Sequence, residues 1–192
     1  AEVDRTMAAR PDIPAGSRFS GEQVAVVNPR SGAVDYRFTA PNRAELRAEA
    51  QRLRTAQRAW SDAPLAHRVA VLQRWRDALL AAQGEILPAL ATDTGRYLIA
   101  AAEFHSVPGT IDRWCRTVTE LALERADTPL VPTTSNPAIA YRAQYVPYAL
   151  VGVISPWNFP FTLAFIDAIS ALLAGCAVLV KPSEVTPRFA EP

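Results

Sequence analysis

Towards the end of the chain, three polar side chains stand at the margins of apolar runs: Asn158, Lys181 and Glu184. Asn158 carries a neutral amide that both donates and accepts, Lys181 a compact three-proton donor, and Glu184 a carboxylate that accepts. Lys181 is also the single lysine among 20 basic residues. A chain that uses arginine elsewhere and an ammonium here suggests a site needing a small, flexible donor rather than a planar fork. A chance survivor of an arginine-rich composition is the plain alternative. The chemistry open to such a set is hydrogen bonding to an anionic ligand, without metal or nucleophile.

The surrounding pattern says how these groups would be positioned. Residues 151–155 are apolar and mostly β-branched, the mark of a strand buried on both faces of a parallel sheet. Pro156 ends it. Asn158 stands where an N-cap belongs, and Pro160 falls in the first turn, where its missing N–H costs nothing. Phe161, Phe165, Ile169, Leu172 and Leu173 recur at helical spacing, and Gly175 supplies the stop. Residues 176–180 form a second buried strand that ends at Lys181. Strand, helix and strand make one βαβ unit, almost always right-handed with parallel strands. The C-terminal ends of both strands then share one edge of the sheet, where ligands of open α/β sheets bind. Asn158 and the loop from Lys181 to Glu184 sit there, beside a helix N-terminus whose unpaired N–H groups favour negative charge. The pattern points to a nucleotide or another anionic ligand.

Upstream, residues 1–23 are polar and read as an arm, and the single methionine is Met7, so residues 1–6 read as residual tag or a processed start. Residues 24–27 and 34–38 flank the turn signal Asn28-Pro-Arg-Ser-Gly32 and predict a hairpin. Asn42 with Glu45 three residues later predicts a capped helix start, with Leu46, Ala50, Leu53 and Trp60 on its buried stripe. Pro64 opens a helix carrying Leu65, Val69, Leu72, Trp75, Leu79, Ile86 and Leu87 at helical spacing. Pro88 is expected to bend it and Gly95 to end it. A third helical region, 98–125, is expected to break at Val107-Pro-Gly109. Ile111, Trp114, Cys115, Val118 and Leu121 share a face beyond that break. Trp60 and Trp75 read as core. Residues 127–137, with three prolines, read as a connector. Residues 139–145 alternate as a half-exposed antiparallel strand does, and need a partner later in the chain or on another subunit.

Half of the 192 residues are apolar and the net charge is +1, so one sizeable core is expected and a nucleic-acid surface is not. No apolar run approaches the roughly 18 residues of a membrane helix, and no signal peptide is read. Cys115 and Cys176 lie far apart and form no disulfide or metal pattern, which makes a reduced, cytoplasmic compartment the default. His67 and His105 have no ligand partners at metal spacing, so no zinc site is read.

The segment Gly-Val-Ile-Ser-Pro-Trp-Asn-Phe-Pro at 152–160, followed by Ala-Gly-Cys-Ala-Val-Leu-Val-Lys-Pro-Ser-Glu at 174–184, resembles the aldehyde dehydrogenase superfamily. The likeness runs more loosely back to about residue 27. It implies an α/β fold in which a helical amino-terminal part leads into a Rossmann-like parallel sheet, incomplete here. Residues 1–135 would be the arm, hairpin and helices of the cofactor-binding domain, 136–149 a strand of the oligomerisation domain, and 150–192 the first βαβ unit, with the catalytic domain absent. The activity implied is NAD(P)-dependent oxidation of an aldehyde to an acid through a cysteine thiohemiacetal and thioester.

By resemblance, Asn158 would donate to the oxyanion of the tetrahedral adduct; capping its helix is the structural alternative, and one residue can do both. Lys181 would hydrogen-bond the adenosine ribose hydroxyls and Glu184 would accept from them, which favours NAD over NADP. Ile154, Ser155, Pro156, Trp157 and Ser183 would line the cofactor through backbone and packing, although Trp157 suits core packing equally. Phe161 and Phe165 would face the aldehyde or fill the core. Neither Cys115 nor Cys176 follows the family's nucleophile motif, so both read as inert fillers. The Trp157-Asn158 pair is similar to the hydrolytic branch rather than the CoA-acylating one. A homodimer or a dimer of dimers is implied, and this chain alone is expected to be inactive. The alternative is a non-catalytic nucleotide-binding or assembly module.

Overall fold

The computed structural model describes residues 19–125, 129–142 and 145–192. Most of the expected arm (residues 1–18), residues 126–128 with the start of the connector (127–128) and part of the alternating strand (143–144) lie outside the described residues. Strands β1 (Gln23–Val27) and β2 (Val34–Thr39) form the expected antiparallel hairpin. Asn28 builds its turn: the side-chain oxygen accepts from Arg30 N at 2.9 Å and the carbonyl from Gly32 N at 2.8 Å. Gly32 takes φ +71°, a conformation costly to any residue with a Cβ.

Helix α1 (Arg43–Asp62) starts on the expected capping box between Asn42 and Glu45. Of the expected stripe, Ala50, Leu53 and Trp60 are half-buried, and the difference lies elsewhere. Leu46 is 45% exposed, and the buried residue of the helix is Gln57. The next helical stretch divides at Ala82, not at Pro88, into α2 (Leu65–Ala81) and α3 (Gln83–Thr94). Ala82 N closes α2 on Ala78 O, and Ala82 O then accepts from both Glu85 N and Ile86 N, starting α3. Pro88 is tolerated inside α3 because the carbonyl it deprives is that of Gly84, an exposed residue with open space around it. Gly95 ends α3 in the left-handed conformation, as expected.

Helix α4 (Tyr97–Arg125) is continuous through Val107, Pro108 and Gly109, where a break was expected. Phe104, Val107 and Ile111, all essentially inaccessible, lie on the face packed against α2, α3 and the helix described next. Burying each is worth roughly 1.5–3 kcal/mol, enough together to outweigh about 4 kcal/mol of intrinsic cost from one Pro and one Gly. Strands β3 (Val131–Pro132) and β4 (Ala140–Tyr141) pair antiparallel. The partner of the alternating segment therefore lies upstream, within the stretch expected to be a connector, and the paired part is only two residues long.

The βαβ unit forms as expected: β5 (Val151–Ile154), α5 (Pro160–Ala174) and β6 (Val178–Lys181), with the strands parallel and Ile154 opposite Lys181. Burial on both faces does not hold for β5, since only Val153 is buried and Ile154 is 80% exposed. Helix α5 covers one face of the pair and the face bearing Ile154 is open. Phe161 stacks on Phe104 with centroids 5.7 Å apart and meets Phe165 and Phe189 edge-on at 5.1 and 5.7 Å. Phe161 and Phe165 thus belong to the core, and Trp75 joins them edge-on to Phe165 at 5.2 Å.

Side chains of other helices finish both ends of α5. At its C-terminal end, Trp60 Nε1 donates to Leu172 O (2.9 Å), Arg68 Nε to Leu173 O (3.0 Å) and Gln57 Nε2 to Gly175 O (2.9 Å). Leu172 O also accepts from Gly175 N at 3.0 Å at the helix end, and a cation there complements the helix dipole. Gly175 has φ +98°, and a Cβ on it would lie 3.3 Å from Ser61 Cα, so the close approach of α1 requires glycine. Arg188, in a final 3-10 turn (Arg188–Ala190), ties the hairpin to α3: it contacts Asp35, lies 5.1 Å over the Tyr36 ring and pairs with buried Asp93 at 2.6 Å. Burial pushes the Asp93 carboxyl up from its ordinary range.

Replacing Gln57 by Ala strands a buried carbonyl. It is expected to lower stability by about 1–3 kcal/mol, read as a lower urea midpoint with an unchanged denaturant slope. An unchanged midpoint would show that the α1–α5 contact is not needed.

Candidate functional site

Parallel register brings the candidate residues together. With Ile154 opposite Lys181, both strands finish at the same edge, and Ser155 N donates to Lys181 O at 2.9 Å, extending the pairing one residue further. The chain then turns through Pro156, Trp157, Asn158 and Phe159 into α5. Ser155 Oγ spans this turn to Pro160 O at 2.8 Å. Ser155 is buried for that reason, with its side chain directed into the fold.

The N-cap is Phe159, not Asn158, and Phe159 has no capping side chain. Pro160, the first helical residue, has no N–H to satisfy, as expected. The next two donors, Phe161 N and Thr162 N, both go to Glu103 Oε1 of α4, at 2.6 and 3.3 Å, and Leu163 N goes to Phe159 O. The α5 N-terminus expected to attract an anionic ligand has therefore been filled by the chain's own carboxylate. Glu103 is only 4% exposed, and burial pushes its carboxyl pKa up while the two N–H groups oppose that rise.

Released from capping, the Asn158 side chain is exposed, and its amide has no partner among the described residues. Its backbone is held: the Asn158 carbonyl accepts from the Arg96 guanidinium, which also lies 5.5 Å over the Phe159 ring. Trp157 is 59% exposed and so is not a core residue here. Lys181 Nζ and Glu184 Oε2 form an exposed pair at 2.5 Å, and the bond to Lys181 holds the Glu184 carboxyl below its usual range. Ser183 is buried; its Oγ accepts from Val185 N at 3.2 Å and shapes the loop. Asn158, Lys181 and Glu184 thus sit on one edge as an exposed amide and an exposed donor–acceptor pair, with Ile154, Pro156 and Trp157 as exposed surface beside them. Vicinal hydroxyls of a ligand would find in Lys181 and Glu184 both a donor and an acceptor.

Cys115 and Cys176 are buried away from this edge, and burial pushes the Cys115 thiol up, which disfavours the nucleophilic thiolate. His67 and His105 are exposed, each edge-on to an aromatic ring. The reading of the sequence passed over Arg96 and Glu103. A signal for Glu103 was present: it follows three alanines and falls in step with Ala100, Val107 and Ile111, a lone carboxylate in an apolar helical stripe. Nothing local marks Arg96.

Residues 17–191 match the group described as the aldehyde dehydrogenase family. Over 187 residues the chain is 30% identical to a provisionally named succinate-semialdehyde dehydrogenase of Mycobacterium tuberculosis whose name carries NADP(+), covering 97% of this chain and 33% of that protein. The structure of a provisionally named aldehyde dehydrogenase, PutA, from Anabaena variabilis superposes with a TM-score of 0.81 at 45% identity, covering 89% of this chain and 36% of that one. An NAD-dependent benzaldehyde dehydrogenase from Corynebacterium glutamicum superposes with a TM-score of 0.80 at 26% identity, covering 91% and 37%. The chain spans about a third of the length of the curated relatives it matches. From the match over nearly its whole length, the chain belongs to the aldehyde dehydrogenase family.

Proposed function

We propose that this chain forms the cofactor side of the active site in an enzyme that oxidises an aldehyde to a carboxylic acid with NAD or NADP. The observation that carries this reading is the parallel register of β5 and β6, which leaves the Asn158 amide and the Lys181–Glu184 pair exposed on one edge. The residues fit a dinucleotide: Lys181 donates to the ribose hydroxyls of its adenosine half, and Glu184 accepts from them. Ile154, Ser155, Pro156, Trp157 and Ser183 line it through backbone and packing. When bound, the cofactor supplies a hydride acceptor.

Asn158 donates its amide to the oxygen of the aldehyde as that oxygen gains negative charge. A neutral donor fixed in place before the reaction needs no reorganisation and is worth about 3 kcal/mol. The attacking cysteine would be supplied outside residues 1–192, since Cys115 and Cys176 are buried, and by the same family resemblance so would the glutamate that activates water. The ionised Glu184 repels a 2′-phosphate, which favours NAD; the names of the relatives span both cofactors. The division into residues 1–135, 136–149 and 150–192 follows the same reading. So does assembly into a dimer or a dimer of dimers through the 136–149 segment, whose exposed Ile139 and Tyr141 suit a protein contact.

In the full-length protein, Asn158→Ala is expected to lower kcat by roughly 10²–10³-fold while the dissociation constant for the dinucleotide changes little, as measured by steady-state kinetics and fluorescence titration. Wild-type turnover in that variant would remove the role given to Asn158. Glu184→Gln should shift the ratio of kcat/KM for NADP over NAD upward by about tenfold, the scale of one like-charge contact removed. The 192-residue chain by itself should turn over no aldehyde, and turnover by it would overturn the assignment of the nucleophile elsewhere.

A further inference from the structure

Two side chains, Glu103 of α4 and Arg96 just before it, hold the backbone of the turn that carries Asn158. Arg96, directly before the helix, bonds the Asn158 carbonyl and covers Phe159. Glu103, seven residues on and so on the same side of α4, takes both N–H groups of the first turn of α5. Ser155 anchors the near side of the turn through its N–H to Lys181 O and its Oγ to Pro160 O. The backbone is thus tied before, at and after Asn158, while the Asn158 amide has no partner among the described residues.

From this arrangement, and resting on the oxidation reading above, we infer that Glu103, together with Arg96, is a positioning residue that presets the Asn158 amide for the developing oxyanion. An oxyanion donor is effective to the extent that its direction is set beforehand. A displacement of about 1 Å arising away from the chemistry can cost on the order of 100-fold in rate. Glu103 also places its carboxylate against the positive end of α5, so the helix field there is already offset and stabilisation of the oxyanion falls to the directed amide.

The test is a double-mutant cycle in the full-length enzyme, with Glu103→Ala, Glu103→Gln and Arg96→Ala each made alone and together with Asn158→Ala. Melting temperature and dinucleotide affinity are measured beside kcat and KM. Alone, Glu103→Ala is expected to lower kcat about 10- to 100-fold, with dinucleotide affinity within about twofold. Glu103→Gln, which keeps an acceptor at the same place, restores most of that loss. In the Asn158→Ala background, Glu103→Ala should cost no more than about twofold, because the group it positions has gone. Equal losses in both backgrounds, or wild-type kcat in a folded Glu103→Ala enzyme, overturn the inference and leave the role of Asn158 standing. Wild-type kcat in Asn158→Ala alone overturns both. Should Glu103→Ala fail to fold, Arg96→Ala carries the same cycle with the same expected non-additivity.

Discussion

Helix α5 is apolar along most of its length and can be buried only if the polar groups at its two ends are satisfied where water does not reach them. The chain meets that constraint with side chains from three other helices. Glu103 takes the N–H groups at the amino end, and Gln57, Trp60 and Arg68 take the carbonyls at the other. The charges agree with the helix dipole at both ends, negative at the start and Arg68 at the finish. Because β5 and β6 are joined through α5, fixing the helix also fixes where each strand finishes. Asn158, Lys181 and Glu184 share an edge as a consequence of how a buried helix is capped.

The same constraint accounts for the features of α4. A proline and a glycine in succession are unfavourable in an isolated helix, yet Phe104, Val107 and Ile111 gain more by staying on one continuous packed face than the pair costs locally. Arg96 and Glu103 both precede the Pro–Gly pair, and continuity joins the stretch that follows them to Ile111 in the core. A break would have separated the orientation of the α4 start from the core that holds its middle. Between α2 and α3 the balance is different: Ala82 carries the shift in hydrogen bonding, while Pro88 faces its lost bond towards an exposed glycine.

The open face of β5 and the candidate edge describe one surface. Ile154 and Trp157 are exposed beside polar groups that are either paired with each other, as in Lys181 and Glu184, or turned outward, as in Asn158. An apolar surface with a few directed polar groups is the composition of small-ligand sites, and it agrees with membership of a family whose matched members are about three times the length of this chain.

Local pattern was enough to read the hairpin around Asn28 and Gly32, the capping box of α1, the glycine stops at Gly95 and Gly175, and the βαβ unit with its shared edge. Each follows from chemistry within a few residues: a backbone conformation only glycine adopts cheaply, a cap three residues from its partner, a change of period between strand and helix. Tertiary structure alone decided the continuity of α4, the division at Ala82, the upstream partner of β4, the transfer of the N-cap from Asn158 to Phe159 and the exposure of Ile154. In each of these a distant group outweighs the local preference: a packed face against a proline, or Glu103 reaching 58 residues along the chain to N–H groups that Asn158 was expected to serve. Spacing in sequence carries no record of such contacts, because the energy that settles them comes from burial and charge that exist only once the helices have met.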